Sequence, residues 1–289
     1  MSLGPRSSWR FDAIGTTWEI EVPDALPDAA RAAVVGRIDS FDAAWSRFRP
    51  DSLVSALAPE GGSVPAPPDA VAMLDLYAEL ASATAGAVNP LVGATLARRG
   101  YDAGYTLTDR GASAAPRAWR DILTWSEEEL SLSEPAVIDV GALGKGRLVD
   151  IVLDALTPWA ASEIVVDAGG DLAVRGGPLR VGLEHPYDPR RAIGVIEVTD
   201  AALCASATNR RAWGEGLHHV LDARTGEPVR TIAATWAVAP TAMVADATAT
   251  ALFFEGGPRL AHEWGVEWVR MTTDGRVEWS PGSKAELFT

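Results

Sequence analysis

A glycine-rich turn that carries one lysine is the stretch of this chain with the clearest chemical meaning. Residues 141–146 have the sequence Gly-Ala-Leu-Gly-Lys-Gly, between an apolar segment at 137–140 that predicts a short strand and a periodic segment that predicts a helix. Glycine lets the backbone approach a ligand, a helix N-terminus offers free N–H groups, and Lys145 adds a positive charge. The combination suits a phosphate group, although the spacing is not that of a P-loop or a dinucleotide fingerprint. A tight strand-to-helix connection without any ligand is the alternative.

A second group of residues could bind a hard cation. Residues 243–254 predict a helix whose side chains are mostly small or apolar, and which is therefore buried. Asp246 and Thr250 lie four residues apart and so share one face of that helix. A buried carboxylate is unfavourable unless it is paired, hydrogen-bonded or bound to a metal, and oxygen ligands suit Mg²⁺. Capping of a turn by Asp246, or its pairing with a distant arginine, is the alternative.

Two further segments complete a ligand site. Aromatic and arginine side chains are interleaved over residues 41–52, and Pro50 within this segment ends the predicted helix. The segment indicates either a surface for a flat ligand or a helix end with exposed arginines. A second Gly-Gly turn, at residues 169–170, follows a predicted strand. Together these pieces suit a nucleotide or dinucleotide diphosphate bound partly through Mg²⁺. Metal-assisted attack on the diphosphate is a natural reaction for such a site.

Composition limits the class of protein. The 289 residues are 47% hydrophobic with a formal net charge of −14, so we expect no nucleic-acid partner and no adhesion to an anionic membrane. The single cysteine, Cys204, excludes an internal disulfide and a cysteine-based zinc site, and is consistent with a reducing compartment. The N-terminus has no apolar core of a signal peptide, and Pro240 and Asp246 interrupt the longest apolar run. We therefore expect no membrane insertion.

The elements that must position these residues alternate irregularly. Helices are predicted at 28–41, 69–84 and 243–254, and a hairpin at 266–280 around Asp274-Gly275. Strands are predicted at 18–22, 163–167, 172–174, 179–183, 193–198 and 233–239. Because strict βαβ alternation is absent, the sequence predicts an α+β fold of mixed sheets and helices. We expect a flexible N-terminus at residues 1–10 and one domain at 11–289.

Seven short pieces, in order, resemble the ApbE family of FAD:protein FMN transferases (flavin transferases), and the resemblance covers about residues 11–287. The pieces are Gly-Thr-Thr at 15–17, Phe-Arg-Pro-Asp-Ser at 48–52, Thr-Ala-Gly-Ala-Val-Asn at 84–89, residues 139–146, Ala-Gly-Gly-Asp at 168–171, His-Val-Leu-Asp at 219–222 with Arg-Thr-Gly at 224–226, and Ala-Asp-Ala-Thr-Ala-Thr at 245–250. The resemblance implies a single T-fold-like α+β domain that uses FAD as its substrate. It also implies transfer of FMN, through a phosphoester bond, to a threonine of an acceptor protein, with release of AMP.

The resemblance also implies roles for residues. Asp139 and Lys145 would contact FAD, with Lys145 at the pyrophosphate, and Mg²⁺ would lie on Asp246, Thr250 and the carbonyl of Ala142. Lys145 would stabilise the charge that develops on the diphosphate, and His219 is the candidate base, with a structural histidine at a strand end as the alternative. The flavin would be lined by Ile14, Phe48, Ala87, Val88, Asn89 and Val220.

This chain departs from the family pattern mainly where the flavin end and the acceptor would lie. Asn89 stands where the family often has Asp, Ala207 where it has Gly, and Ala223 where it has Pro. A Mg²⁺-dependent FAD pyrophosphatase that yields FMN and AMP, or a non-catalytic FAD-binding protein, is therefore the alternative. The family is often exported as a lipoprotein, but a lipobox cysteine is lacking here, so we expect a cytoplasmic protein.

Overall fold

The computed structural model describes residues 6–160 and 162–288, and its strands follow one another with helices between them at irregular intervals. The strands are β1 (Ser7–Ala13), β2 (Thr16–Val22), β3 (Gly62–Pro65), β4 (Leu123–Trp125), β5 (Glu129–Leu132), β6 (Ile164–Asp167), β7 (Asp171–Arg175), β8 (Leu179–Glu184), β9 (Ala192–Val198), β10 (Ala201–Ala207), β11 (Ala212–Trp213), β12 (Leu217–His218), β13 (Leu221–Asp222), β14 (Glu227–Pro228), β15 (Ile232–Ala239), β16 (Glu267–Thr272), β17 (Val277–Trp279) and β18 (Glu286–Leu287). The helices are α1 (Asp28–Trp45), α2 (Leu53–Leu57), α3 (Ala70–Ala83), α4 (Gly93–Arg98), α5 (Trp119–Ile122), α6 (Gly144–Ala155), α7 (Ala242–Ala251) and α8 (Gly257–Glu263).

An antiparallel sheet of eight strands organises the chain, in the order β1-β2-β6-β7-β10-β15-β16-β17. Side chains of successive strand residues point to opposite faces, so both faces of a central strand can be buried. In β6, Ile164 and Val166 pack on one face and Val165 on the other. The sheet is therefore the middle layer of a three-layer structure.

Three helices, α1, α6 and α7, cover one face of this sheet. Their apolar side chains meet those of β2 and β6 in one cluster, which includes Val34 of α1 and Val149 of α6. Helix α7 contributes mostly alanines, and Ala245 and Ala249 are fully buried. Small side chains let this helix approach the sheet and α6 closely.

Polar contacts fix α7 against α6. The carboxylate of Asp150 on α6 accepts hydrogen bonds from the first amides of α7, at 2.7 Å from Ala242 and 2.9 Å from Met243. One helical turn away, the amide of Gly146 donates to Asp246 Oδ2 at 2.9 Å. Free amides at a helix N-terminus need such partners, so Asp150 caps α7 from a neighbouring helix.

A three-stranded sheet (β18-β9-β8) covers the other face of the main sheet, and a second small sheet (β3-β5-β4) packs beside α3. Helices and sheets thus form one α+β domain, as the sequence predicted. The predicted helices at 28–41, 69–84 and 243–254 correspond to α1, α3 and α7, with α1 extending to Trp45. The hairpin around Asp274-Gly275 is formed by β16 and β17.

Two predictions of local structure were wrong. The apolar segment 137–140 is not a strand: it lies in no sheet, and Asp139 N donates to the carbonyl of Pro90 at 2.8 Å. The prediction of a flexible segment at residues 1–10 fails at residues 7–10, because they belong to β1 and pair with β2. Residues 1–5 of that prediction lie outside the described part. No helix in the described ranges combines the length and the apolar character needed to cross a membrane.

Candidate active site

A cavity of about 760 Å³ opens where the N-terminus of α6, the helix α7 and the β1–β2 turn meet. This volume is in the range of small-molecule sites. All twelve site residues named from the sequence line it, although they come from distant parts of the chain. They are Ile14, Phe48, Ala87, Val88, Asn89, Asp139, Ala142, Lys145, His219, Val220, Asp246 and Thr250.

The glycine turn is held in shape by a buried tyrosine from α3. The Tyr77 hydroxyl donates to the carbonyl of Asp139 at 3.0 Å and accepts from the amide of Ala142 at 3.1 Å. Within the turn, the amide of Gly141 donates to Asp139 Oδ1 at 2.8 Å. Burial raises the pKa of Tyr77, so this hydroxyl stays neutral. The turn therefore owes its conformation to side chains as well as to glycine.

Lys145 is paired with the buried carboxylate of Asp171 and feels the charge of Asp246. Its Nζ lies 3.0 Å from Asp171 Oδ2 and donates to the carbonyl of Ala168 at 3.3 Å. The contact with Asp171 is an ion pair without the direction of a hydrogen bond, and neither oxygen of that buried carboxylate has a hydrogen-bond donor among the described residues. Burial lowers the pKa of Lys145, but Asp171 and Asp246 oppose this, and the pKa is above its ordinary value. Lys145 is thus charged at neutral pH.

Asp246 carries an unfavourable charge in this structure. It is 3% exposed, and burial, with the repulsion of Asp171, raises the pKa of its carboxyl well above the ordinary value. Its Oδ2 accepts from Gly146, whereas Oδ1 accepts no hydrogen bond from the described residues. A cation at this carboxylate would relieve the cost of burying it.

The oxygen atoms around Asp246 fit a hard cation. Thr250 and Ala142 line the same cavity, and neither the Thr250 hydroxyl nor the Ala142 carbonyl takes part in a hydrogen bond within the described ranges. One carboxylate, one hydroxyl and one carbonyl suit Mg²⁺, which usually keeps several waters or substrate oxygens as further ligands. No cluster of three or more His, Cys, Asp or Glu side chains placed to hold a metal is found in the described residues.

A second part of the cavity lining is aromatic. Phe48 stacks on Tyr105 with ring centroids 5.3 Å apart, and the Arg47 guanidinium lies 4.1 Å from the Phe48 centroid. Arg47 also forms a buried ion pair with Asp139, so the Asp139 carboxylate is already occupied by a protein partner. No local pattern of the sequence predicts this pair, because the two residues are 92 positions apart.

The side chain of Asn89 bonds to the backbone of its own loop and of a distant one. Its Nδ2 donates to the carbonyl of Pro116 at 2.8 Å, and its Oδ1 accepts from the amide of Leu91 at 2.9 Å. The amide of Ala223 donates to the carbonyl of Ala87 at 3.0 Å, which joins this loop to the segment after Val220. One backbone hydrogen bond thus brings Val220 close to Ala87, Val88 and Asn89, which are four of the six residues named for the flavin.

His219 is neutral over the physiological range. Burial, with the nearby charges of Arg211 and His218, lowers the pKa of His219 to about 3. The residue is only partly buried as a whole, and its Nδ1 is enclosed without a hydrogen-bond partner among the described residues. A neutral imidazole beside the cavity can accept a proton, but a pKa of about 3 makes His219 a weaker base than an ordinary histidine.

Comparison with known proteins agrees with this architecture. The model of the ApbE family matches residues 14–269. The FAD:protein FMN transferase of Rhodobacter capsulatus is 28% identical, and the match covers 98% of this chain and 58% of that protein. The FAD:protein FMN transferase of Treponema pallidum is 29% identical, with 93% and 85% covered. This chain thus spans little more than half the length of the first relative.

Two solved structures share the fold. The ApbE protein of Thermotoga maritima superposes with a TM-score of 0.82 at 21% identity, covering 96% of this chain and 97% of that one. The flavin transferase ApbE of Vibrio cholerae superposes with a TM-score of 0.79 at 23% identity, covering 97% and 99%. These similarities confirm the predicted α+β class. Because the family model matches most of its length, the chain belongs to the ApbE family.

Proposed function

We propose that this chain is a Mg²⁺-dependent FAD:protein FMN transferase, which attaches FMN to a threonine of an acceptor protein and releases AMP. The observation that carries the proposal is the convergence of twelve residues from distant segments on one cavity of about 760 Å³. The name of its relatives from Rhodobacter capsulatus and Treponema pallidum, FAD:protein FMN transferase, agrees with it.

The two ends of the cavity suit the two parts of the substrate. The aromatic and apolar end, with Phe48, Val88 and Val220, suits the flavin ring, since flat rings stack on aromatic side chains. Lys145, at the N-terminus of α6, suits the diphosphate. Asp246, Thr250 and the Ala142 carbonyl would hold Mg²⁺, which when bound would neutralise charge on the diphosphate.

The proposed reaction is a displacement at phosphorus. The threonine oxygen of the acceptor attacks the phosphorus of the FMN half, a new P–O bond forms, and the bond from this phosphorus to the oxygen of AMP breaks. His219 accepts the hydroxyl proton, and AMP leaves with the bridging oxygen. Lys145 stabilises the negative charge that accumulates on the diphosphate oxygens.

Release of AMP tests the proposal. The purified protein is incubated with FAD and Mg²⁺ alone, and separately with the proteins of a cell extract as acceptors, and AMP is measured by chromatography. The transferase predicts AMP only with acceptors, together with peptides that carry FMN on threonine in mass spectrometry. AMP in the absence of acceptors would instead show a pyrophosphatase, and bound FAD without AMP under either condition would show a carrier.

A further inference from the structure

The charged side chains of the cavity are nearly all neutralised by a partner within the protein. Five lysine or arginine residues line it, and four of them pair with a carboxylate. These pairs are Arg47 with Asp139, Arg49 with Asp42 and Asp51, Lys145 with Asp171, and Arg210 with Glu184. The remaining one, Arg211, forms no ion pair with any carboxylate in the described residues.

The partner of Arg211 is a neutral group. Its Nη1 donates a hydrogen bond to the Tyr101 hydroxyl, and its guanidinium carbon lies 5.7 Å from the Tyr101 ring centroid. Burial raises the pKa of Tyr101 to about 12, so the phenol carries no negative charge at neutral pH. Arg211 therefore has no anionic partner in direct contact, and no hydrogen bond from its other N–H groups is found in the described part of the chain.

Arg211 stands beside the residues proposed to perform the chemistry. Its backbone carbonyl accepts from the amide of His219 at 3.3 Å. Asp246 lines the same cavity, feels the charge of Arg211, and also lacks an ion-pair partner within 4.0 Å among the described residues. The cavity thus contains one unpaired carboxylate and one unpaired guanidinium.

We infer that Arg211 is a binding residue for the diphosphate of the dinucleotide, with its free N–H groups donating to phosphate oxygens. A guanidinium presents a rigid fork of donors that matches two oxygens of one phosphate, and charge-assisted bonds of this kind are stronger than neutral ones. A diphosphate carrying a cation satisfies both unpaired groups at once: its oxygens neutralise Arg211, and its cation neutralises Asp246. This inference rests on the proposed function, since it takes FAD as the ligand.

The affinity for FAD, measured in the presence of Mg²⁺ by flavin fluorescence, tests the inference without turnover. Arg211→Gln should raise the Kd for FAD about tenfold or more, because it removes one or two charge-assisted hydrogen bonds. The Kd of Arg211→Lys should lie between those of the wild type and Arg211→Gln, because lysine keeps the positive charge but not the two-pronged donor geometry of the guanidinium. Arg37→Gln is the matched control: Arg37 is also without an ion pair among the described residues, but it is exposed on α1 outside the cavity. It makes the same change in net charge, and its Kd should equal that of the wild type.

Salt dependence separates binding from a structural role at Tyr101. The affinity of the wild type should fall more steeply with NaCl concentration than that of Arg211→Gln, because salt screens a charge that the variant lacks. Equal slopes, or an unchanged Kd for Arg211→Gln, would overturn the inference. A wild type that binds FAD in an Arg211-dependent way but never releases AMP would refute the transferase and leave the inference standing. AMP release together with a Kd for FAD that does not depend on Arg211 would support the transferase and refute the inference about Arg211.

Discussion

Helices α6 and α7 are in close contact at Gly146, and Gly146→Ala probes this contact. A Cβ at this position would lie 2.2 Å from the Ala242 carbonyl oxygen and 2.7 Å from Asp246 Cβ. The nearest obstacle is backbone, which has no rotamer to change, so α7 has to move by roughly 1 Å to restore an ordinary contact. That movement strains the Asp150 cap and the bond from Gly146 to Asp246, which together fix the two helices.

The expected cost exceeds any gain in helix propensity. Overpacking a buried contact costs about 1–3 kcal/mol or more, and the strained hydrogen bonds add to it, whereas Gly to Ala inside a helix gains at most about 1 kcal/mol. We expect Gly146→Ala to lower the free energy of unfolding by about 3 kcal/mol, or roughly 6–12 °C in Tm. Urea denaturation and thermal melting in the absence of FAD measure this.

Gly36→Ala is the matched control for this prediction. Gly36 lies inside α1 and is exposed, and a Cβ added to it would meet no other atom within 4 Å. The same chemical change should therefore stabilise the protein by about 0.5–1 kcal/mol. If Gly146→Ala proves as stable as Gly36→Ala, the close contact between α6 and α7 does not exist as described and the reasoning is refuted.

Three further substitutions test the remaining contacts. Asp246→Asn should abolish the stabilisation by Mg²⁺ in thermal melting. The metal-free variant should be at least as stable as the wild type, because the substitution removes a buried charge that Asp171 repels. An undiminished response to Mg²⁺ would contradict the metal site. Tyr77→Phe leaves the carbonyl of Asp139 and the amide of Ala142 without their partner and should cost about 1–3 kcal/mol in urea denaturation; equal stability would show that the hydroxyl does not hold the turn. His219→Gln should slow AMP release by about 10²–10⁴-fold. The pKa of His219 falls from 6.5 to about 3 on folding, so the wild type should lose stability as the pH falls below 6.5. Between pH 8 and pH 5 this loss should reach at most about 2 kcal/mol, and His219→Gln should not show it. Parallel pH profiles of stability for the two proteins would refute the buried environment of His219.

Local patterns in the sequence predicted the elements better than the contacts between them. The small, apolar composition of residues 243–254 correctly indicated a buried helix, and the four-residue spacing of Asp246 and Thr250 placed both on the cavity side. Such patterns follow from helical geometry alone. The strand predicted at residues 137–140 was wrong because an apolar run that is buried by a loop contact has the same composition as a buried strand.

The partners of the site residues could not be found this way. Asp171 pairs with Lys145 across 26 positions and Arg47 with Asp139 across 92, and nothing periodic links them. Asp171 gave one local indication: it is an acidic residue at the first position of β7, directly after a Gly-Gly turn. Arg211 gave none, because its significance lies in the lack of a carboxylate around it among the described residues, which only the folded chain reveals.

The pair of contacts between α6 and α7 also determines how the cavity can move. Gly146 and Asp150 are one turn apart on α6, and their partners Asp246 and Ala242 are one turn apart on α7. These two hydrogen-bonded contacts oppose sliding or rotation of one helix past the other, so we expect Lys145 and Asp246 to move together as one rigid unit. We therefore expect any opening that admits a dinucleotide to come from loop residues of the lining such as Phe48, which stacks on Tyr105. The part of the cavity that holds Lys145 and Asp246 is already assembled before a ligand arrives, so its ordering adds little entropic cost to binding.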